Sequence, residues 1–172
     1  MNEALQGRKA GFAHRGCSSW NDNVGGWVKW QNSVNDSQIL IARYEVSVGG
    51  WEVYLTEAGS LRYLTLRHHH AAGASLRTGA YSLGWEYDTL YHFVITRVGT
   101  TAYFYRNGEP VTTISNILID PEATTRDLVI GTRYTKDANY VSGLYGRLMV
   151  GEEALTAEDG KSMYKHQAGN EA

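Results

Sequence analysis

The chain is laid out in short apolar runs whose members alternate with polar residues, and clusters of Gly, Asn, Asp and Ser separate the runs. Strict alternation sends successive side chains to opposite faces of an extended backbone, so the pattern predicts half-buried strands. In the run 51–55, Trp51, Val53 and Leu55 share one face while Glu52 and Tyr54 take the other. Comparable runs stand at 27–30, 39–44, 61–66, 91–97 and 102–106. Asn107-Gly108 follows the last of these. That pair best tolerates the positive φ of a two-residue hairpin turn, so 110–114 are predicted to return as the partner strand. Segments 128–131 and 143–150 are further strands around a polar, aromatic loop at 132–142. One short helix is predicted, late in the chain. Thr156 caps it, Glu158 and Asp159 sit at its positive end, and Lys161, Lys165 and His166 fall toward its negative end. Gly160 weakens it.

Organisation follows from the same reading. Residues 1–26 are rich in Gly and polar residues, with Leu5, Phe12 and Trp20 as isolated apolar positions, and are expected to be an arm or, through 12–17, a divergent first strand. Residues 27–166 form one domain and 167–172 a tail. Twelve Tyr, five Trp and nineteen Gly against only two Pro favour strands and glycine turns. The predicted class is all-β: a two-sheet antiparallel sandwich with one short C-terminal helix. A chain of 172 residues buries enough surface to dispense with metal or disulfide staples, and Cys17 alone has no intrachain partner. Sixteen basic residues face eighteen acidic ones, which argues against bulk binding of nucleic acid. No apolar run approaches the ~20 residues of a membrane-spanning helix, and the first nine residues lack the core of a signal peptide. The expectation is a soluble protein folded in the cytosol, with no membrane insertion.

The order of segments resembles the laminin-G-like, concanavalin-A-like jelly-roll family. Five stretches carry the resemblance: Leu90-Tyr91-His92-Phe93-Val94-Ile95-Thr96, Tyr103-Phe104-Tyr105-Arg106-Asn107-Gly108, Leu128-Val129-Ile130-Gly131, the run 140–150, and Ala154-Leu155-Thr156-Ala157-Glu158-Asp159. Gly26-Trp27-Val28-Lys29 and Gly50-Trp51-Glu52-Val53-Tyr54 look like the family's early strands. The resemblance implies a concanavalin-A-like jelly roll over roughly 24–165. Gly146 and Arg147 stand where the family commonly has Asp and Glu, so calcium binding by that route is not expected, and neither a metal nor any other cofactor is predicted.

The family's fold also hosts glycosidases, which need two carboxylates about 5–5.5 Å apart in retaining members. The nearest string to their E-x-D-x-E signature is Glu86-Tyr87-Asp88-Thr89-Leu90, where Leu90 replaces the acid/base residue, and Glu152-Glu153 point to opposite faces if extended. No enzyme is expected. On a strand His68 and His70 would share a face and His69 would point away, but no completing ligand follows, so the string is read as an exposed strand end or loop. Cys17 near His14 lacks a third orienting group and is read as a plain thiol. Aromatic and polar groups together suit sugar rings or a protein surface. Tyr134, Asp137, Asn139 and Tyr140 in one loop, with Trp85 and Tyr87 in another, are the predicted ligand-contacting residues; Trp20-Asn21-Asp22 is a third such cluster.

These readings converge on a non-catalytic recognition or structural domain. By analogy within the family, the expected setting is a bacteriophage virion assembled in the host cytoplasm, as a capsid decoration or tail-associated protein. Its expected partners are other capsid or tail subunits, in a homo-oligomer or lattice, anchored by 1–26, with loops turned toward surface glycans. A carbohydrate-binding module or lectin is the alternative, and a glycoside hydrolase a remote one.

Overall fold

A computed structural model describes residues 21–33, 37–59, 61–79, 84–111, 115–116 and 119–168. Residues 1–20 of the predicted arm over 1–26, with Phe12, His14, Cys17 and Trp20, and the last four residues of the chain lie outside the described residues. The described elements are β1 (Asn21–Trp30), β2 (Ser37–Glu45), β3 (Gly49–Ala58), β4 (Leu61–His70), β5 (Gly73–Gly79), β6 (Leu90–Val98), β7 (Thr101–Arg106), β8 (Glu109–Pro110), β9 (Ser115–Asn116), β10 (Val129–Ile130), β11 (Gly143–Gly151) and α1 (Ala157–Ala168). They form two antiparallel sheets stacked as a sandwich. The first has the order β11-β1-β6-β7-β8, with β9 also pairing β7, and the second has the order β10-β2-β3-β4-β5. The predicted two-sheet sandwich with one C-terminal helix is therefore the fold.

Alternation builds the core. Val53 and Leu55 of β3, Leu64 and Leu66 of β4, Phe93 and Ile95 of β6 and Phe104 of β7 all turn into the space between the sheets. Their polar strand neighbours turn outward, which is what a period of two requires. The turn at 107–108 forms as predicted, with Asn107 at φ 52° and Gly108 at φ 80°. The returning strand is β8, the Val111 amide donates to the Phe104 carbonyl at 2.9 Å, and 112–114 of the predicted partner strand lie outside the described residues. The Asn107 side chain also accepts the His92 amide at 2.9 Å, tying the turn to β6.

Two expectations need correction. The boundary at residue 27 falls inside β1, which begins at Asn21 and lies between β11 and β6 rather than at an edge. Its opening, Asn21-Asp22-Asn23, has little strand propensity; pairing on both sides, Asn23 with Thr96 and with Gly151, holds it extended. A bulge between Gly25 and Trp27 shifts the register against β11, while the pairing with β6 runs unbroken. Alternation turns Val24 and Val28 to the core and Trp27 to the other face, edge-on against His92 and near Tyr164 of the helix. The second correction concerns the histidines. All three are buried at the end of β4: His68 and His70 continue the inward row of Leu64 and Leu66, and His69 faces outward.

The helix is capped as predicted. The Thr156 hydroxyl accepts the Asp159 amide at 3.2 Å and the Asp159 carboxylate accepts the Thr156 amide at 2.9 Å, a reciprocal capping box. The helix runs to Ala168, two residues into the expected tail. Gly160, predicted as a weakness, is its buried residue and lies against the Tyr105 ring, with room there for a methyl group at ordinary contact distance.

Candidate functional site

Four chain segments meet where β1 ends: Trp30-Gln31, the start of β2 at Ser37, the turn before β6, and the loop before β11. Gln38 is the clamp. It is buried in β2, and its amide donates to the Gln31 carbonyl at 3.0 Å and accepts the Ser142 amide at 2.6 Å. The Gln31 amide in turn donates to the Ser142 carbonyl at 2.8 Å. The Gln31 side chain reaches the other way and donates to Asp88 Oδ1 at 3.1 Å. Asp88 is fixed further by its own amide, which donates to the Trp30 carbonyl at 2.7 Å, and by Lys29 Nζ at 3.7 Å. Its φ of 57° is a left-handed conformation that Asp tolerates better than most residues. The result is a set of loops locked to one another by amides, with the Asp88 carboxyl 65% exposed.

Within this frame the predicted residues separate. Asn139 donates to the Ser37 carbonyl at 3.1 Å while its own carbonyl accepts the Ile39 amide at 3.0 Å, so it holds the loop instead of facing solvent. Tyr140 is 51% exposed, and its hydroxyl donates to the Lys136 carbonyl at 2.9 Å, which fixes the ring. Tyr134 folds back over the outer face of the second sheet, edge-on to Tyr44 at 4.9 Å, with the Arg126 and Arg133 guanidinium groups over its ring. Asp137 accepts from Thr135 and pairs with Arg133 at 3.4 Å. Tyr87 lies at the clamped end, its hydroxyl donating to Glu57 at 2.5 Å and its ring covered by Arg62 at 3.8 Å. Trp85 is corrected: at 1% exposure it is a core residue, edge-on to Tyr91 and overlaid by Arg106, and it offers no ligand a face. Sequence reasoning missed Gln31 and Gln38. An isolated glutamine carries no motif, and only long-range pairing reveals the clamp.

The carboxylates are not arranged for glycoside cleavage within the described residues. Glu86 and Asp88 flank a turn and are exposed. Glu52 is buried on the outer face of β3, but its neighbours two positions away are Gly50 and Tyr54, and its partners are Arg67 at 3.2 Å and His69 at 3.0 Å. Tyr44 stacks on His69, and burial beside Glu52 pushes the Tyr44 hydroxyl well above its ordinary range. This cluster holds one carboxylate between a guanidinium and an imidazole, not the carboxylate pair that retaining chemistry needs. Among the described residues no three metal-ligating side chains converge.

A family model described as the concanavalin A-like lectin/glucanases superfamily, of laminin G type, matches residues 24–159. Among solved structures, the binding domain of botulinum neurotoxin serotype G is similar at 18% identity and TM-score 0.60, over 87% of this chain and 37% of that one. A candidate carbohydrate-binding protein from Bacteroides ovatus is similar at 18% identity and TM-score 0.63, over 82% of this chain and 40% of that one. Domain 4 of AbnA, a GH43 extracellular arabinanase from Geobacillus stearothermophilus, in complex with arabinotriose, is similar at 15% identity and TM-score 0.58, over 86% of this chain and 68% of that one. The chain thus spans well under half the length of the first two. No curated protein matches it.

Proposed function

This chain belongs to the concanavalin A-like lectin/glucanases superfamily, and from that premise we propose that it is a non-catalytic domain that binds glycan at the clamped end of its sandwich. The observation that carries the reading is the frame itself. Buried Gln38 holds two loops together before any ligand arrives, and the frame presents an exposed, fixed tyrosine ring and an exposed, fixed carboxylate. Sites that are ordered in advance lose less entropy on binding. The arabinotriose complex of the arabinanase domain supports an oligosaccharide as ligand. Glycan-array binding of the whole chain, alongside Tyr140→Ala, tests this. Selective binding that the variant loses is expected; a blank array overturns it.

A second reading places the domain in a virion, assembled in the host cytoplasm and docked on capsid or tail subunits or on copies of itself. Exposed Leu128, Ile130, Leu144 and Tyr145 along the β10 and β11 edges favour protein docking, because apolar groups gathered at a sheet edge suit a protein partner. Sedimentation of the whole chain and of Leu144→Asp distinguishes the readings: a self-associated wild type that the variant dissolves supports subunit docking.

A further inference from the structure

We infer that the ligand of the clamped end is an uncharged sugar, whose hydroxyls the Asp88 carboxylate accepts, and not a sialylated, uronic or sulfated one. The inference rests on the glycan reading above. It follows from how the charges at this end are already spent. Lys29 faces Asp88 at 3.7 Å. Arg62 lies between Glu57 at 3.5 Å and Glu86 at 3.3 Å, and its guanidinium covers the Tyr87 ring. At the tip of the neighbouring loop Arg133 faces Asp137 at 3.4 Å. Each of these cations already has a carboxylate, so an anionic sugar would have to displace one to gain another. It would also approach the exposed Asp88, a like charge. Lys136 is the one cation of these loops without a carboxylate within 4 Å among the described residues, and it is exposed. A single mobile ammonium in water attracts an anion weakly.

What the end does offer suits hydroxyls. Gln31 and Lys29 both occupy Asp88 Oδ1, which leaves Oδ2 open on a carboxylate 65% exposed. A fixed ionised acceptor makes stronger hydrogen bonds to hydroxyls than a neutral one. The Tyr140 ring supplies an apolar face for the C–H side of a pyranose or furanose.

The test is an array divided into neutral, sialylated, uronic and sulfated glycans, read with the whole chain at low and high NaCl. Hits confined to neutral glycans, with affinity changed less than about twofold by salt, are expected, because screening acts on ionic contacts. Asp88→Asn keeps a residue that tolerates the left-handed backbone, and so keeps the fold. It is expected to weaken a neutral ligand roughly tenfold, about 1.4 kcal/mol, whereas it would strengthen an acidic one by removing a like charge. Lys136→Ala is expected to change nothing. Enrichment of acidic glycans, lost in salt or in Lys136→Ala, overturns this inference and leaves the glycan reading standing. A blank array overturns both.

Discussion

At the end where β1 finishes a buried neutral amide holds the loops and the ion pairs lie nearer the surface, whereas at the opposite end the cation of the ion pair is itself buried. At the first end the Gln38 and Asn139 side chains bind backbone groups and Gln31 donates to Asp88, which leaves the Tyr140 ring and the rest of the Asp88 carboxylate facing water. At the second, Arg97 of β6, only 1% exposed, reaches across to pair with Asp120 of the loop over 119–123. His68 Nδ1 lies 3.0 Å from the Ile119 carbonyl, which can only accept, so that nitrogen carries the proton. The Gly50 amide donates to the Glu122 carbonyl at 2.8 Å, and the Glu122 carboxylate accepts the Ala71 amide at 3.1 Å. Gly50, at φ 92°, must be glycine, because a Cβ there would fall on the Arg43 carbonyl oxygen. The charged end closes the sandwich, and the amide end is free to present groups.

That contrast can be broken from either side. The largest expected effect is at the charged end. Arg97→Ala leaves Asp120 without its cation and Asp22 without the nearby positive charge that opposes its burial, and is expected to cost about 3–5 kcal/mol in urea unfolding. A loss under about 1 kcal/mol would mean that charge does not close this end.

The pH profile sharpens the same point. Burial raises the Asp22 carboxyl to about 7, against the pull of Arg97, while burial and Arg97 lower His68 to about 3. Folded Asp22 keeps its proton where the unfolded chain has lost it, so its contribution to stability falls as pH rises from its ordinary 3.8 toward about 7. Folded His68 stays neutral where the unfolded chain is protonated, so its contribution falls as pH drops from its ordinary 6.5 toward about 3. The slopes oppose each other across the shared window, so the wild type is expected to be flatter there than a variant that lacks one of them. Asp22→Asn removes one of them. Its stability should then climb with pH up to about 6.5, by as much as about 1.4 kcal/mol per pH unit, when unfolding is followed from pH to pH. A variant profile as flat as the wild type would reject the opposition.

Gln38→Ala tests the amide end. It strands the Gln31 carbonyl and the Ser142 amide, and should cost about 1–3 kcal/mol without changing the pH profile, since no titrating group is lost. Hydrogen exchange at the Ser142 amide should rise in the same variant. The smallest effect on stability belongs to Tyr140→Ala, within about 0.5 kcal/mol by thermal melting, because its ring is exposed and packs little. A larger loss would mean that the ring supports the frame as well as presenting itself.

Much of the fold was legible along the chain. The alternation in 51–55, the Asn107-Gly108 turn and the Thr156 cap each act through neighbours within a few residues, so each could be read locally. The start of β1 could not. Asn21-Asp22-Asn23 reads as loop, and pairing to residues more than seventy positions away makes it strand. The candidate site divides in the same way. Tyr140 and Tyr87 were nameable as aromatic residues in polar loops, whereas Trp85 shared that description and belongs to the core.

Sequence by itself determined the class of fold, the turn at 107–108, the helix cap and the shared face of Trp51, Val53 and Leu55, because periodicity and turn chemistry are properties of adjacent residues. Tertiary structure alone decided which glutamine clamps which loops, which tryptophan is covered, that three histidines are interior, and that Arg97 meets Asp120 across the sheets. Those outcomes depend on what lies opposite each side chain once the sheets stack, and a residue's burial and charge partners are set by neighbours distant in the chain.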